Sequence, residues 1–430
     1  MIKVYLKQAW ELLKQNKLFS MLYIVGTGLA IAMTMVMAMV YYVKIAPVYP
    51  EVNRLNTLYL TSCKMESGTE GNKSQYQWAV SYKALQEWFY PTKNALCVSA
   101  QLDDRAFQNS YIQSADLSGD FPVKVKLTDP DFFRIYRFHF LEGSPFTASD
   151  LASGLCTAVI TDELSRRLFG TTEGVVGRSF RLDYTDYRVC GVIRSGSYLM
   201  RNSYSQVYLP YSVVSGYLGA FSVTFQVKDG EQGDALRAEL KEIARKENLM
   251  HPDEWKVEFW EQPASHLLRV FQTFASEEFD VWATVRYFLL VLLVLLLVPA
   301  LNLSGMIGSR MESRLAEMGV RKSFGAGRGA LLRQVMWENL LLTLLGGALG
   351  LMLAWLSLYA AREWVFTVFD RWSSVIPDGV DVKVSGEMLF APLVFAAALL
   401  LCVVLNMLSA LVPAWHSLRH PIVNSLNEKR

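Results

Sequence analysis

Charge-free apolar runs divide the chain unevenly, with one run near its start and three in its last third. The four runs are residues 18–43, 287–309, 339–361 and 388–415, and none of them contains Asp, Glu, Lys or Arg. A helix needs about 20 apolar residues to cross the hydrocarbon core of a bilayer. The first run follows basic residues, as in a cleaved signal peptide, but it is about twice as long as the apolar segment of one. The pattern predicts one transmembrane helix, a large block at residues 44–286, and three further transmembrane helices.

The intervening block mixes helix and strand patterns, which predicts an α+β domain. A strand, helix, strand order occurs near its start, at 56–60, 81–89 and 95–101, and again near its end, at 221–228, 231–248 and 254–260. Short alternating segments lie between them, at 123–127, 158–161, 179–183, 187–193 and 206–209. We therefore expect a βαβ-repeat lobe at about 50–120 and 216–265, with a β-rich lobe inserted at about 121–215. Apolar residues three or four apart, beginning at Leu267, predict a helical stalk at about 266–286.

The charges between the runs predict the orientation in the membrane, because short cytoplasmic loops retain Lys and Arg. Residues 1–17 carry four Lys against Glu11, and residues 310–338 carry six basic residues against three acidic ones. The loop at 362–387 has the opposite balance, with three basic and five acidic residues. Both termini (1–17 and 416–430) and the 310–338 loop are therefore expected in the cytoplasm, and the large block outside it.

Two further helix patterns concern the membrane. Residues 1–17 place apolar side chains such as Leu6 and Trp10 on one helical face, which predicts an amphipathic helix lying along the cytoplasmic surface in contact with lipid. Gly346 and Gly350 form a GxxxG pair in the third predicted span, where two helices can approach closely. This pair fits helix packing within one subunit and also contact between two subunits.

Four of the five cysteines lie in the external block. They are Cys63, Cys97, Cys156 and Cys190, whereas Cys402 lies in the fourth span. Four cysteines allow three disulfide pairings. Our hypothesis pairs Cys63 with Cys97, because both lie in or next to apolar segments that could form neighbouring strands. Four buried thiols are the alternative, and no cysteine or histidine spacing resembles a zinc site.

The sequence contains no constellation that indicates catalysis. There is no Ser, His and Asp arrangement typical of a triad, and the chain lacks the GxxxxGK[ST] phosphate loop. The spans also lack the ionisable residues that ion-coupled transporters place near the midplane. Basic residues lie where the topology requires them, so a nucleic-acid partner is not indicated. We expect no enzyme activity, no metal site and no directly bound cofactor.

The most specific motif lies in the predicted cytoplasmic loop. Residues 317–326 read EMGVRKSFGA, which resembles the E-[IM]-G-[IV]-R-[KR]-x-[LF]-G-A signature of MacB/FtsX-like permeases of ABC transporters. Four other segments agree with this resemblance: NKLFS at 16–20, DPDFF at 129–133, AVIT at 158–161 and YRVCGVI at 187–193. The resemblance covers nearly the whole chain and includes the 1 + 3 order of the spans. The tail at 421–426 departs from it by one residue, so no role is carried over to the tail.

The resemblance implies a multi-pass permease subunit of the inner membrane with a MacB-like periplasmic core domain. It implies a cytoplasmic ABC ATPase subunit that binds ATP and Mg, and a second copy or a homologous permease. A periplasmic or outer-membrane partner also fits. In macrolide-exporter permeases the ATPase is fused at the N-terminus, whereas here we expect a separate subunit. The implied function is export or extraction of an amphiphilic substrate such as a peptide, drug, lipid or lipoprotein. The alternative is a mechanotransmitting sensor that signals or activates an envelope enzyme.

The resemblance also assigns a role to the loop. The residues expected to couple the permease to the ATPase are Arg314, Glu317, Gly319, Arg321, Lys322, Phe324, Gly325 and Ala326. We expect a short helix that exposes its charged side chains, ends at Gly325 and carries Phe324 as an apolar plug. Binding of anionic lipid headgroups would explain the basic residues equally well on charge alone.

Overall fold

The structure is a computed structural model that describes residues 11, 17–67, 74–102, 110–113, 120–214, 220–252, 255–271, 280, 282–287, 289–291, 293–294, 320–321, 323–368 and 391–419. The chain divides into two compact units. The membrane unit comprises Met1–Tyr42, Val281–Asp370 and Gly386–Arg430, and the external unit comprises Val43–Asp280 and Arg371–Ser385.

The described helices and strands follow in chain order. The helices are α1 (Lys17–Ile45), α2 (Tyr82–Ala84), α3 (Phe132–Ile135), α4 (Ala148–Ser153), α5 (Asp162–Phe169), α6 (Gly230–Met250), α7 (His266–Phe271), α8 (Arg328–Ala360), α9 (Arg362–Val368) and α10 (Pro392–Arg419). The strands are β1 (Thr57–Leu60), β2 (Cys63–Ser67), β3 (Ser74–Trp78), β4 (Cys97–Leu102), β5 (Ser110–Gln113), β6 (Asp120–Val123), β7 (Val125–Thr128), β8 (Phe140–Gly143), β9 (Thr157–Thr161), β10 (Ser179–Leu182), β11 (Thr185–Ile193), β12 (Val207–Pro210), β13 (Phe221–Gln226), β14 (Lys256–Glu258) and β15 (Ala264–Ser265).

The membrane unit contains three described helices that are long and apolar enough to cross a bilayer: Ser20–Ile45, Arg328–Ala360 and Pro392–Leu411. They contain most of the first, third and fourth predicted spans. Of the second predicted span, 287–309, the described residues are 287, 289–291 and 293–294, and all are helical. The predicted amphipathic helix at 1–17 lies outside the described residues except at Glu11 and Lys17, and the predicted stalk is described only at 266–271, 280 and 282–286.

The external unit is built on a single twelve-stranded mixed sheet. Its strands run in the order β15-β1-β13-β4-β7-β12-β9-β11-β10-β5-β6, and β8 pairs with β11. The β7–β12 and β9–β11 pairs are parallel. Most strands of the predicted repeat lobe and all described strands of the predicted β-rich lobe therefore belong to one continuous sheet. The predicted fold class, a helical membrane protein with a large α+β domain, is confirmed. A separate three-stranded sheet has the order β14-β2-β3.

The large sheet is covered on both faces. One face packs against α6, whose Leu236, Leu240 and Ala244 recur every four residues and are buried. The other face packs against an aromatic cluster that includes Phe132, Phe133, Tyr136, Phe146 and Tyr208. Both faces of the sheet are therefore shielded from solvent, and for this reason every residue of β4 is buried.

The predicted Cys63–Cys97 disulfide is not present, since all five cysteines are free thiols. Cys63 begins β2 in the small sheet, whereas Cys97 begins β4 in the large sheet, and the two strands are not neighbours. The two side chains pack in different apolar clusters. The expected adjacency of the strands was wrong, because the connection between them carries the β2–β3 hairpin, which the sequence pattern did not indicate.

Candidate functional site

The described end of the signature loop is a helix terminus closed by a glycine. Gly325 has a φ of +87°, a conformation that side chains other than glycine's rarely adopt. The Ala326 N–H donates to the Arg321 carbonyl at 3.0 Å, and the Phe324 N–H donates to the Val320 carbonyl at 3.2 Å. This is the six-to-one bond of a Schellman motif. The glycine of the signature is therefore required by the backbone.

Phe324 lies on the surface of the chain at this turn. Its side chain is 87% exposed, whereas the neighbouring Ala326 packs against the buried cluster formed by Tyr23, Leu331 and Val335. A ring exposed in this way is accessible to a partner, which would gain apolar contact area by burying it.

Arg321 connects the turn to α8 instead of projecting from it. Its Nη1 donates to Gln334 Oε1 at 2.7 Å, and Gln334 Nε2 donates to Glu338 Oε1 at 3.1 Å. Gln334 and Glu338 are 7% and 4% exposed. The expectation that Arg321 is exposed was wrong, because the residue is half-buried and its guanidinium donates to Gln334 of α8.

Asn339, the residue after Glu338 in α8, also makes buried hydrogen bonds. Asn339 Oδ1 accepts a hydrogen bond from the Tyr23 hydroxyl of α1, and Asn339 Nδ2 donates to the Asn406 carbonyl of α10 at 3.4 Å. Asn339 is 4% exposed. Hydrogen bonds thus link the Arg321 turn to α8, and Asn339 of α8 to α1 and α10.

The GxxxG pair packs within the chain. A Cβ placed on Gly346 would lie 2.9 Å from Thr27 Cβ, and one on Gly350 would lie 2.7 Å from the Gly28 carbonyl oxygen. Both contacts are with α1. The sequence left open whether this pair packs within one subunit or between two. In the structure, both glycines pack within one subunit.

Of the eight expected coupling residues, the structure brings together Arg321, Phe324, Gly325 and Ala326. The other four, Arg314, Glu317, Gly319 and Lys322, lie outside the described residues. Sequence reasoning missed Gln334, Glu338 and Asn339. The sequence did carry a signal for them, since positions 331, 334, 335, 338, 339 and 342 follow the i, i+3, i+4, i+7, i+8, i+11 spacing of one helical face.

The DPDFF segment of the external unit has a structural role. The buried Asp129 carboxylate accepts hydrogen bonds from the Tyr90 and Ser99 hydroxyls at 2.7 and 2.8 Å, and from the Ala100 and Phe132 amides at 2.7 and 3.0 Å. Burial raises the pKa of Asp129 to about 6 despite these donors. The carboxylate ties the end of β7 to β4 and to α3, which carries the aromatic cluster.

Among the described residues, no group of three or more His, Cys, Asp or Glu side chains could hold a metal ion.

Comparison with known proteins gives two family matches. Residues 20–243, more than half of the chain, match the MacB-like periplasmic core domain, and residues 289–422 match the FtsX-like permease C-terminal region. One relative is the macrolide export ATP-binding/permease protein MacB of Escherichia coli, 25% identical over 432 residues, with 98% of this chain and 60% of the relative covered. That of Shigella boydii is 26% identical over 360 residues, with 81% and 52% covered. The chain thus spans less than two thirds of the length of these curated relatives.

Two solved structures are similar to part of the chain. One is the extracellular domain of the noncanonic ABC-type transporter YknZ from Gram-positive bacteria, with a TM-score of 0.35 and 16% identity, covering 47% of this chain and 100% of that one. The other is the periplasmic region of MacB from Actinobacillus actinomycetemcomitans, with a TM-score of 0.33 and 12% identity, covering 46% and 88%.

Proposed function

The chain belongs to the family of ABC-transporter permeases that combine a MacB-like periplasmic core domain with an FtsX-like C-terminal region, and from that premise we propose that it transmits ATP binding and hydrolysis by a cytoplasmic ATPase subunit to its external domain. ATP and Mg are held by that partner. The chain works with a second copy or a homologous permease in the inner membrane, with both termini in the cytoplasm. The work is export or extraction of an amphiphilic substrate, a peptide, drug, lipid or lipoprotein.

The observation that carries this proposal is the exposed Phe324 on an anchored turn. Its ring is 87% exposed, and burying such a ring against a partner removes apolar surface from water. The turn beneath it is held by the Ala326 to Arg321 backbone bond. The ATPase could therefore bind the Phe324 side chain, and the hydrogen-bonded turn would move together with that side chain.

A set of side-chain hydrogen bonds supports the proposal that movement of the loop reaches the membrane helices. Arg321, Gln334 and Glu338 link the turn to the buried face of α8. A coupling free energy of about 1–3 kcal/mol is typical between linked sites. It requires only that the nucleotide-bound ATPase prefers one position of the turn over another.

The test is substitution of the exposed ring. Phe324→Ala removes a solvated side chain, so we expect a change in unfolding free energy within about 0.5 kcal/mol. Loss of an aromatic anchor at an interface costs about 2 kcal/mol or more, which is roughly a thirtyfold weaker association. The measurement is retention of the co-purifying ATPase by the tagged full chain in lipid nanodiscs, together with its ATP hydrolysis rate.

Tyr184→Ala is the matched control, because Tyr184 is another exposed aromatic residue, 97% exposed, in the external unit. We expect this variant to retain the ATPase at the wild-type level. Wild-type retention by Phe324→Ala would refute the proposal. The alternative function is a mechanotransmitting sensor. It would be favoured if ATP hydrolysis depended on Phe324 but drove no release of a fluorescent lipopeptide from vesicles.

A further inference from the structure

A buried ion pair lies where the chain enters the external unit. Arg54 Nε donates to Glu51 Oε2 at 2.8 Å, and the two side chains are 2% and 1% exposed. Burial alone would raise the pKa of Glu51, but the charge of Arg54 and the hydrogen bonds from Arg54 and Ser203 hold the pKa below its ordinary value. The pair is therefore charged, and it is shielded from water.

Arg54 caps the end of α1. Its Nη1 donates to the carbonyl oxygens of Val43 at 2.9 Å, Lys44 at 3.3 Å and Ala46 at 2.7 Å. The last carbonyls of a helix have no partner within the helix, and they carry the negative end of its dipole. One guanidinium thus binds the end of α1 through backbone carbonyl groups, so the contact does not depend on which side chains lie there.

Two other segments are tied to the same point. The Glu51 Oε1 atom accepts from the Ser203 amide at 3.0 Å and from its hydroxyl at 2.8 Å, and Arg54 Nη2 contacts Met200 Sδ. His266, the first residue of α7, makes a 2.8 Å hydrogen bond from Nε2 to the Lys44 carbonyl. Burial lowers the pKa of His266 to about 4, so the neutral ring donates this bond.

We propose that the Arg54 junction, formed by Glu51, Arg54, Met200, Ser203 and His266, is the positioning element that carries movement of α1 into the external domain. The inference rests on the proposed function and adds the connection through which the movement passes. The junction joins the end of α1, the connection between β11 and β12, and the start of α7.

The surroundings of the junction are not arranged for greatest stability. Two nearby atoms are buried without a hydrogen-bond partner among the described residues: His266 Nδ1 and Arg269 Nη1. The Tyr59 ring lies 5.9 Å from the His266 ring and 4.9 Å from the Arg269 guanidinium. Each unpaired atom costs free energy, and such costs concentrate at sites kept for function. A stability role alone would be served as well by apolar side chains in place of the buried pair.

The experiment uses the full chain in lipid nanodiscs with its co-purifying ATPase, with and without a non-hydrolysable ATP analogue and Mg. Hydrogen–deuterium exchange is followed in a loop reporter, residues 320–326, and in external reporters, residues 197–205 and 264–271. We compare wild type with Glu51→Leu/Arg54→Met, which replaces the ion pair by apolar side chains. The matched control is Arg181→Met/Asp186→Leu, which removes an ion pair of 2.9 Å that is exposed on the β10–β11 hairpin.

We expect nucleotide to change exchange in all reporters of the wild type and of the control. In Glu51→Leu/Arg54→Met the loop reporter should still respond, and the response of the external reporters should be lost. An undiminished external response in this variant overturns the inference and leaves the proposed function standing. A wild-type loop reporter that ignores nucleotide overturns the proposed function itself.

Arg54→Lys covers the case in which the double variant does not fold. Lysine keeps the charge beside Glu51, but it lacks the planar fork that donates to Glu51 and to three carbonyls together. We expect the loop response to persist and the external response to fall. A wild-type external response in Arg54→Lys also overturns the inference.

Discussion

Gly350 is the residue at which helix packing in the membrane unit can be tested most directly. A Cβ at this position would lie 2.7 Å from the Gly28 carbonyl oxygen and 3.0 Å from Ile31 Cβ, whereas ordinary contact begins at 3.4 Å. The carbonyl belongs to the backbone of α1, so it cannot turn away as a side chain would. Gly350→Ala should therefore push α1 and α8 apart locally by about 0.7 Å, the difference between 3.4 and 2.7 Å.

The expected cost follows from this displacement. Forcing one extra methyl group into a packed interface costs about 1–3 kcal/mol, while alanine is favoured over glycine within a helix by about 1 kcal/mol. Gly26→Ala is the matched control, because Gly26 also lies inside a membrane helix and a Cβ there would meet nothing within 4 Å. The helix preference is common to both variants. Their difference in unfolding free energy should therefore equal the packing cost, about 1–3 kcal/mol.

The assay is unfolding of the full chain in mixed micelles with increasing dodecyl sulfate, followed by tryptophan fluorescence. Gly350→Ala should unfold at a lower detergent fraction than Gly26→Ala, and Gly350→Leu at a lower one still. Equal stability of the two alanine variants would refute the close crossing. A change of oligomeric state in Gly350→Ala without loss of stability would instead favour contact between subunits.

Two further predictions concern the external unit. Tyr90→Phe removes a hydroxyl that donates to the buried Asp129 carboxylate at 2.7 Å, so it should lower the unfolding free energy by about 1 kcal/mol, measured in the same assay, and an unchanged or higher value would contradict this. Burial lowers the pKa of His266 from 6.5 to about 4, so the unfolded chain binds more protons between these values and stability falls as the pH drops through them. Burial raises the pKa of Asp129 from 3.8 to about 6, so this group makes stability rise as the pH drops through that window. His266→Gln should remove the loss of stability on acidification that His266 causes, and Asp129→Asn should remove the gain that Asp129 causes. Both are measured as unfolding midpoints from pH 4 to 7. An unchanged pH dependence in both variants would refute the assignment.

Local patterns predicted those strands that alternate in burial. β10 and the first part of β11 alternate exposed and buried residues, and the sequence segments 179–183 and 187–193 showed that period. The spans were predictable for a related reason, because an uncharged run of that length has few other places to lie. These features depend on neighbours in sequence.

The features that were missed depend on partners far along the chain. Gln101 and Lys126 alternate with apolar residues, a pattern that indicates a solvated face, but the aromatic cluster covers that face and the two side chains hydrogen-bond to each other at 3.3 Å. Nothing in the sequence marks Arg54 and Glu51, since their partners Met200 and Ser203 are more than 140 residues away. The signature loop was located by its motif, but the inward direction of Arg321 depends on Gln334 in the next helix.

If the continuous sheet of the external unit turned as one body about its β15 edge, the strand farthest from that edge would move most. Eleven strands lie along the path from β15 to β6, and ten spacings of about 4.8 Å give an arm of about 48 Å. The Arg54 junction lies at one end of this arm, because β15 ends directly before His266 and β1 begins three residues after Arg54. A rotation of about 5° at that edge would move β6 by about 4 Å, given the strand spacing. A distance probe on β6 would therefore register a movement that is too small to detect at its source.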